Sequence, residues 1–67
     1  MIEPGRYRHY KGGEYEVIEV ATHSETGERL VVYRALYGEH GLWVRPLEMF
    51  EETVVVEGAR VPRFARV

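Results

Sequence analysis

The chain has no cysteine, and that absence removes two ways of holding a short sequence together. Disulfides are excluded, and so are zinc sites built on thiolates. There is no long hydrophobic run either, so no segment reads as a membrane span, and no charged leader precedes an apolar stretch, so no signal peptide is expected. A cytoplasmic location is the expectation that follows. There is no excess of basic charge: 9 basic residues face 11 acidic ones for a net −2, which does not advertise a nucleic-acid binder. Every acid is Glu and every base except Lys11 is Arg, the cation better suited to planar carboxylates, phosphates and aromatic faces. No repeat, linker or low-complexity segment divides the 67 residues, so residues 1–67 read as one domain. A chain of that size buries only about 60% of its unfolded surface. Its stability has to come from aromatic and β-branched packing, from self-association, or from both.

What is present is concentrated between Leu30 and Pro46, LVVYRALYGEHGLWVRP, which holds the only Trp and two of the five Tyr. After a short leader, Met1 to Pro4, the segment Gly5–Lys11 alternates, with Tyr7 and His9 on one side and Arg6, Arg8 and Tyr10 on the other. Gly12-Gly13 marks a turn. In Glu14–Ala21, Tyr15 and Val17 share one phase while Ile18 and Val20 share the other, a slip that predicts a bulge or a strand covered on both sides. HSETG, residues 23–27, is a polar loop. Arg29–Tyr37 has almost no polar face and is expected to be central and buried on both sides. A turn at Gly38–Gly41 leads into Leu42–Arg45, which Pro46 ends. Leu47–Phe50 reads as one helical turn of the 3₁₀ type, Thr53–Glu57 as a fifth strand, and Val61–Val67 as a last short strand at an edge.

Short strands, tight turns and one helical turn after the fourth strand predict an all-β fold, a small SH3-like barrel of about five strands. No window sustains helical apolar spacing. Within the central hairpin, Val32, Leu36, Leu42 and Val44 are assigned to the core. Tyr33, Trp43 and Arg45 are compatible with either core or contact, and in so small a domain the need to bury every large aromatic favours the core for Trp43.

The blocks GRYRHYKG, AxHSETGE, VVYRALYG, WVRPLEMF and VPRF, in this order and spacing, resemble the DUF 1653 family of small bacterial proteins of unknown function. The resemblance spans roughly Pro4 to Val67. It implies a stand-alone bacterial domain and transfers no catalytic residue.

The residues themselves point to binding and away from catalysis. His9, His23 and His40 lack any metal-ligand spacing, so neither a metal nor a cofactor is expected. His23, Ser24 and Glu25 lie side by side on one loop, where a catalytic relay rarely converges; Ser24 or Thr26 and Glu25 are expected to bond nearby backbone amides instead. No enzyme is expected. The predicted contact face is aromatic and Arg-rich, made of Tyr10, Tyr33, Trp43 and Arg45 and rimmed by His23, Ser24 and Glu25, with an extended protein or peptide segment as its partner. The alternative is a nucleic-acid or ribosome-associated surface, formed if Arg6, Arg8, Lys11, Arg60, Arg63 and Arg66 merge along adjacent first and last strands. No membrane partner is expected; weak self-association is compatible with the sequence.

Overall fold

The computed structural model describes residues 2–67; Met1, the start of the expected leader, lies outside them. Seven strands and one helical turn follow in chain order: β1 (Gly5–His9), β2 (Glu14–Thr22), β3 (Arg29–Ala35), β4 (Leu42–Pro46), α1 (Leu47–Phe50), β5 (Thr53–Val56), β6 (Ala59–Pro62) and β7 (Phe64–Arg66). They form a five-stranded antiparallel sheet, β4-β3-β2-β1-β7, and a separate hairpin, β5-β6.

The all-β architecture matches the sequence, but the closed barrel does not form: β4 and β7 are opposite edges of the main sheet, and among the described residues no strand pairing joins them. The expected last strand is instead two, since Arg63 falls between β6 and β7. The helical turn is α and not 3₁₀, because the Glu51 amide reaches back four residues to the Leu47 carbonyl (3.0 Å).

The expected bulge is present. Val17 pairs with Tyr33 and Glu19 with Val32, so Ile18 is the extra residue. It resets the phase of β2: Val17 before it is buried, and Val20 after it packs on the same core. β3 is central but is not covered on both sides. Val31, Tyr33 and Ala35 are buried, whereas Leu30, Val32 and Arg34 on the other face are half-buried. The chain has too little material for a second apolar layer.

The core is Tyr7, Val17, Val31, Tyr33, Phe50 and Phe64. Phe50, delivered by α1, is 0% exposed and stacks on Phe64 from β7, ring centroids 4.0 Å apart and 3° from coplanar. Tyr7 and Tyr33 meet Phe50 at 5.8 and 5.6 Å. Leu42 and Val44 are not core, contrary to expectation: both are exposed on the uncovered face of the edge strand. Val32 and Leu36 are half-buried.

Candidate functional site

The register of β3 with β4 decides what shares a face with Trp43. Tyr33 pairs with Trp43 and Val31 with Arg45, and antiparallel partners present their side chains to the same side. A tight Gly38–Gly41 turn would set Tyr37 against Leu42. The loop is longer: the ladder opens at Ala35, whose amide bonds the Gly41 carbonyl (3.2 Å), so Tyr33 comes directly opposite Trp43. Gly38 (φ 60°) and His40 (φ 56°) adopt left-handed backbone to make that loop.

Trp43 is 60% exposed, which resolves its assignment away from the core. It stands on the core side of the sheet but outside the core cluster that Phe50 of α1 caps. Beyond, a groove of about 410 Å³ opens between Tyr15, Tyr33, Tyr37, Trp43 and Arg45, with Glu39 at its mouth. Tyr15 crosses Tyr33 and Tyr37 edge-on, and the Tyr15 and Tyr37 hydroxyls are 2.7 Å apart. Gly13 makes room for that pair: a Cβ there would lie 3.3 Å from both the Tyr15 hydroxyl and the Tyr37 ring.

Arg45 lies along one wall. Its guanidinium sits over Phe64, 5.7 Å from the ring centroid, and its Nε donates to the Tyr33 hydroxyl at 3.4 Å. Among the described residues Arg45 has no carboxylate within ion-pair distance. A guanidinium held over an aromatic ring and lacking a carboxylate partner can take a planar anion or an aromatic face.

The rest of the predicted face is not here. Tyr10 lies at a different cleft of about 500 Å³, beside Arg8, Val56, Val61, Pro62 and Arg66. The HSETG loop joins β2 to β3 beyond the Thr22–Arg29 pair, at the opposite end of the sheet from the groove. His23, and neither Ser24 nor Glu25, organises that loop: its Nδ1 accepts from the Glu25 amide (3.1 Å) and the Thr26 amide (3.4 Å), while Thr26 Oγ1 accepts from Glu28 (3.2 Å). Tyr15 and Tyr37 are groove residues that sequence reasoning did not select. The signal for Tyr37 was its shared phase with Tyr33; Tyr15 needed the β2–β3 register.

The basic residues do not merge into one edge. The first and last strands are adjacent, which meets the condition for that edge, but Tyr7 pairs with Arg66 and Arg8 with Ala65, so Arg66 and Arg8 leave opposite faces. Most are also matched by acid: Arg6 and Arg8 meet Glu14 (3.8 and 3.1 Å), Arg63 meets Glu52 (2.7 Å) and Arg66 meets Glu3 (3.7 Å). Lys11 sits over Tyr10, and Arg60 bonds Thr53.

Two titrating groups flank the groove. His9 is held below its ordinary 6.5 by burial first, then by the positive charges of Arg63, Arg45 and Lys11; its Nδ1 accepts the Lys11 amide (3.1 Å), as a neutral ring does. Burial, followed by the bond to Tyr37, pushes the Tyr15 hydroxyl up from 10 to about 12. Because the folded state resists ionising Tyr15, its stabilising share is whole below pH 10 and is lost as pH rises through about 12. Urea midpoints measured across that window are expected to fall, and Tyr15→Phe is expected to flatten the decline. An equal slope in the variant would remove Tyr15 as its source.

These features define a small all-β domain with an open aromatic groove and, among the described residues, no cluster of three metal-ligating side chains. No described helix is long and apolar enough to cross a membrane. The chain belongs to the DUF1653 family, proteins of unknown function, whose family model matches residues 5–66. A DUF1653 protein of known crystal structure from Bordetella bronchiseptica is similar to it at 43% identity, with a TM-score of 0.89 over 98% of this chain and 87% of that one. A search of curated proteins finds no match.

Proposed function

We propose that the domain is a non-enzymatic cytoplasmic binding module whose aromatic groove receives an extended protein or peptide segment. The observation that carries this reading is the exposed Trp43 beside Arg45, a guanidinium without a carboxylate partner among the described residues, in a groove walled by three tyrosines. Trp, Tyr and Arg dominate contact energies at protein interfaces, and aromatic grooves hold extended chains through flat, low-entropy contacts. The bound face is centred on Trp43 and Arg45, joined by Tyr15 and Tyr37, with the buried Tyr33 beneath them as the floor. Tyr10 and the HSETG loop lie outside it.

The test is selection from a displayed library of random peptides, followed by titration calorimetry of the selected sequences against the parent and each variant. Arg45→Ala is expected to weaken binding at least ~10-fold, equivalent to about 1.4 kcal/mol, with little change in melting temperature. Failure to select any peptide, or equal binding by Arg45→Ala and Trp43→Ala, would sink the reading. The nucleic-acid alternative has less support, because most of its cations already face Glu side chains; a steep salt dependence of affinity would revive it.

A further inference from the structure

β4 is an edge strand whose protection is confined to its last residue, Pro46. Three consecutive residues on it are exposed and apolar: Leu42 (55%), Trp43 (60%) and Val44 (59%). Folded proteins usually blunt such an edge with charge, a bulge or brevity. The opposite edge, β7, does so: it has three residues and carries Arg66. β4 has five, and its one charge, Arg45, points into the groove face.

The direction of its free backbone groups follows from the register. The Ala35 amide bonds the Gly41 carbonyl, so in the alternation of an antiparallel ladder the Tyr33–Trp43 and Val31–Arg45 pairs exchange hydrogen bonds. Leu42 and Val44 belong to the intervening pairs, Arg34–Leu42 and Val32–Val44, and their N–H and C=O groups point away from β3. Pro46 shares that phase, where its missing N–H costs β3 nothing. Among the described residues no strand takes up these groups.

We propose that β4 pairs antiparallel with β4 of a second copy of this chain, about a two-fold axis through Val44. In that register Val44 faces Val44 and the two exchange a pair of hydrogen bonds. Leu42 faces Pro46, so each Leu42 amide finds a Pro46 carbonyl and no donor is wasted on the residue that has none. Trp43 of each copy faces Arg45 of the other. The guanidinium that lacks a carboxylate in its own chain gains an indole across the axis, and no like charges stand directly opposite.

This self-complementarity favours a second copy over a foreign strand: the same five residues supply both sides. The arrangement is isologous, so it uses up both β4 edges and stops at two. It also sets the two concave faces on one side of a continuous ten-strand sheet, with Tyr15, Tyr33 and Tyr37 outside the new ladder. The pairing rests on the free edge and not on the peptide reading of the groove, and each can fail alone.

The test is sedimentation equilibrium of the whole chain from roughly 1 μM to 1 mM, because a single ladder buries less than the ~1,600 Å² of a standard interface. The mass is expected to rise from the 7.8 kDa of the chain towards twice that value. Hydrogen exchange run alongside is expected to show the Leu42 and Val44 amides slowing with concentration, while those of Trp43 and Arg45 are slow throughout. Val44→Pro removes an outward amide and no bond to β3, so it is expected to keep the fold and to raise the dimer dissociation constant at least ~10-fold. Val44→Lys decides the matter if the proline variant unfolds, and Val44→Thr is expected to stay dimeric. A chain that remains monomeric, with fast Leu42 and Val44 amides throughout, overturns the proposal. So does a dimer that Val44→Lys leaves intact.

Discussion

Phe50→Ala is expected to leave most of the chain unfolded. The ring is wholly buried, stacks on Phe64 at 4.0 Å and receives Tyr7 and Tyr33 around it. Phe→Ala in a core costs about 3–5 kcal/mol, through lost transfer energy and the cavity left behind. Domains hold roughly 0.05–0.15 kcal/mol of stability per residue, about 3–10 kcal/mol across 67 residues, so that cost takes from a third of the reserve to all of it, and a core this thin puts the domain towards the low end. Relaxation cannot soften it much. Phe50 is the only fully buried residue of a single helical turn, so nothing else on α1 can slide into its place. Circular dichroism and urea titration would check this. A variant that melts like the parent would mean that the sheet does not need α1 as its cover.

The second large effect separates two roles within one side chain. Tyr33→Ala is expected to cost about 3–5 kcal/mol, because the ring meets Tyr15 at 5.4 Å, Phe50 at 5.6 Å and Phe64 at 6.3 Å. Tyr33→Phe keeps all three contacts and loses only the hydroxyl, which accepts a long 3.4 Å bond from Arg45. Its cost is expected to stay within about 1 kcal/mol. In the phenylalanine variant Arg45 loses a tether but keeps its seat on Phe64, so peptide affinity is expected to fall while the melting temperature hardly moves. Comparing the two variants by urea denaturation and by titration of a selected peptide separates packing from recognition. A Tyr33→Phe variant as unstable as Tyr33→Ala would place the weight on the hydroxyl.

How far the sequence could be read depends on the range of the forces involved. The strand positions and the Ile18 bulge are written in local alternation and turn residues. Closure is not: whether β4 meets β7 depends on how strongly the sheet bends, and no short window encodes that. Leu42 and Val44 look like core residues by composition, but burial needs something to lie over them, and this chain has no such element. The expectation for Trp43 failed for the same reason: scarcity of core argues for burying every aromatic, yet Trp43 lies outside the core cluster that Phe50 of α1 caps. Of the predicted contact residues, Tyr33, Trp43 and Arg45 do converge. Tyr10 and the loop of His23, Ser24 and Glu25 were grouped with them by chemistry, and only the strand register shows that they lie elsewhere.

The pairing of β1 with β7 also sets an order of events. β1 to β4 form a meander whose neighbours in space are neighbours in sequence, so each hairpin closes a short loop. Tyr7 and Arg66 are 59 positions apart, and joining them carries the closure entropy of nearly the whole chain. Contacts of that range make folding slower than the local ladder would suggest. Until β7 arrives, Phe64 is absent, Phe50 has no ring to stack on, and Arg45 has no seat. The groove is therefore completed by one of the longest-range pairings among the described residues, and a nascent or partly unfolded chain would carry the meander without a formed groove.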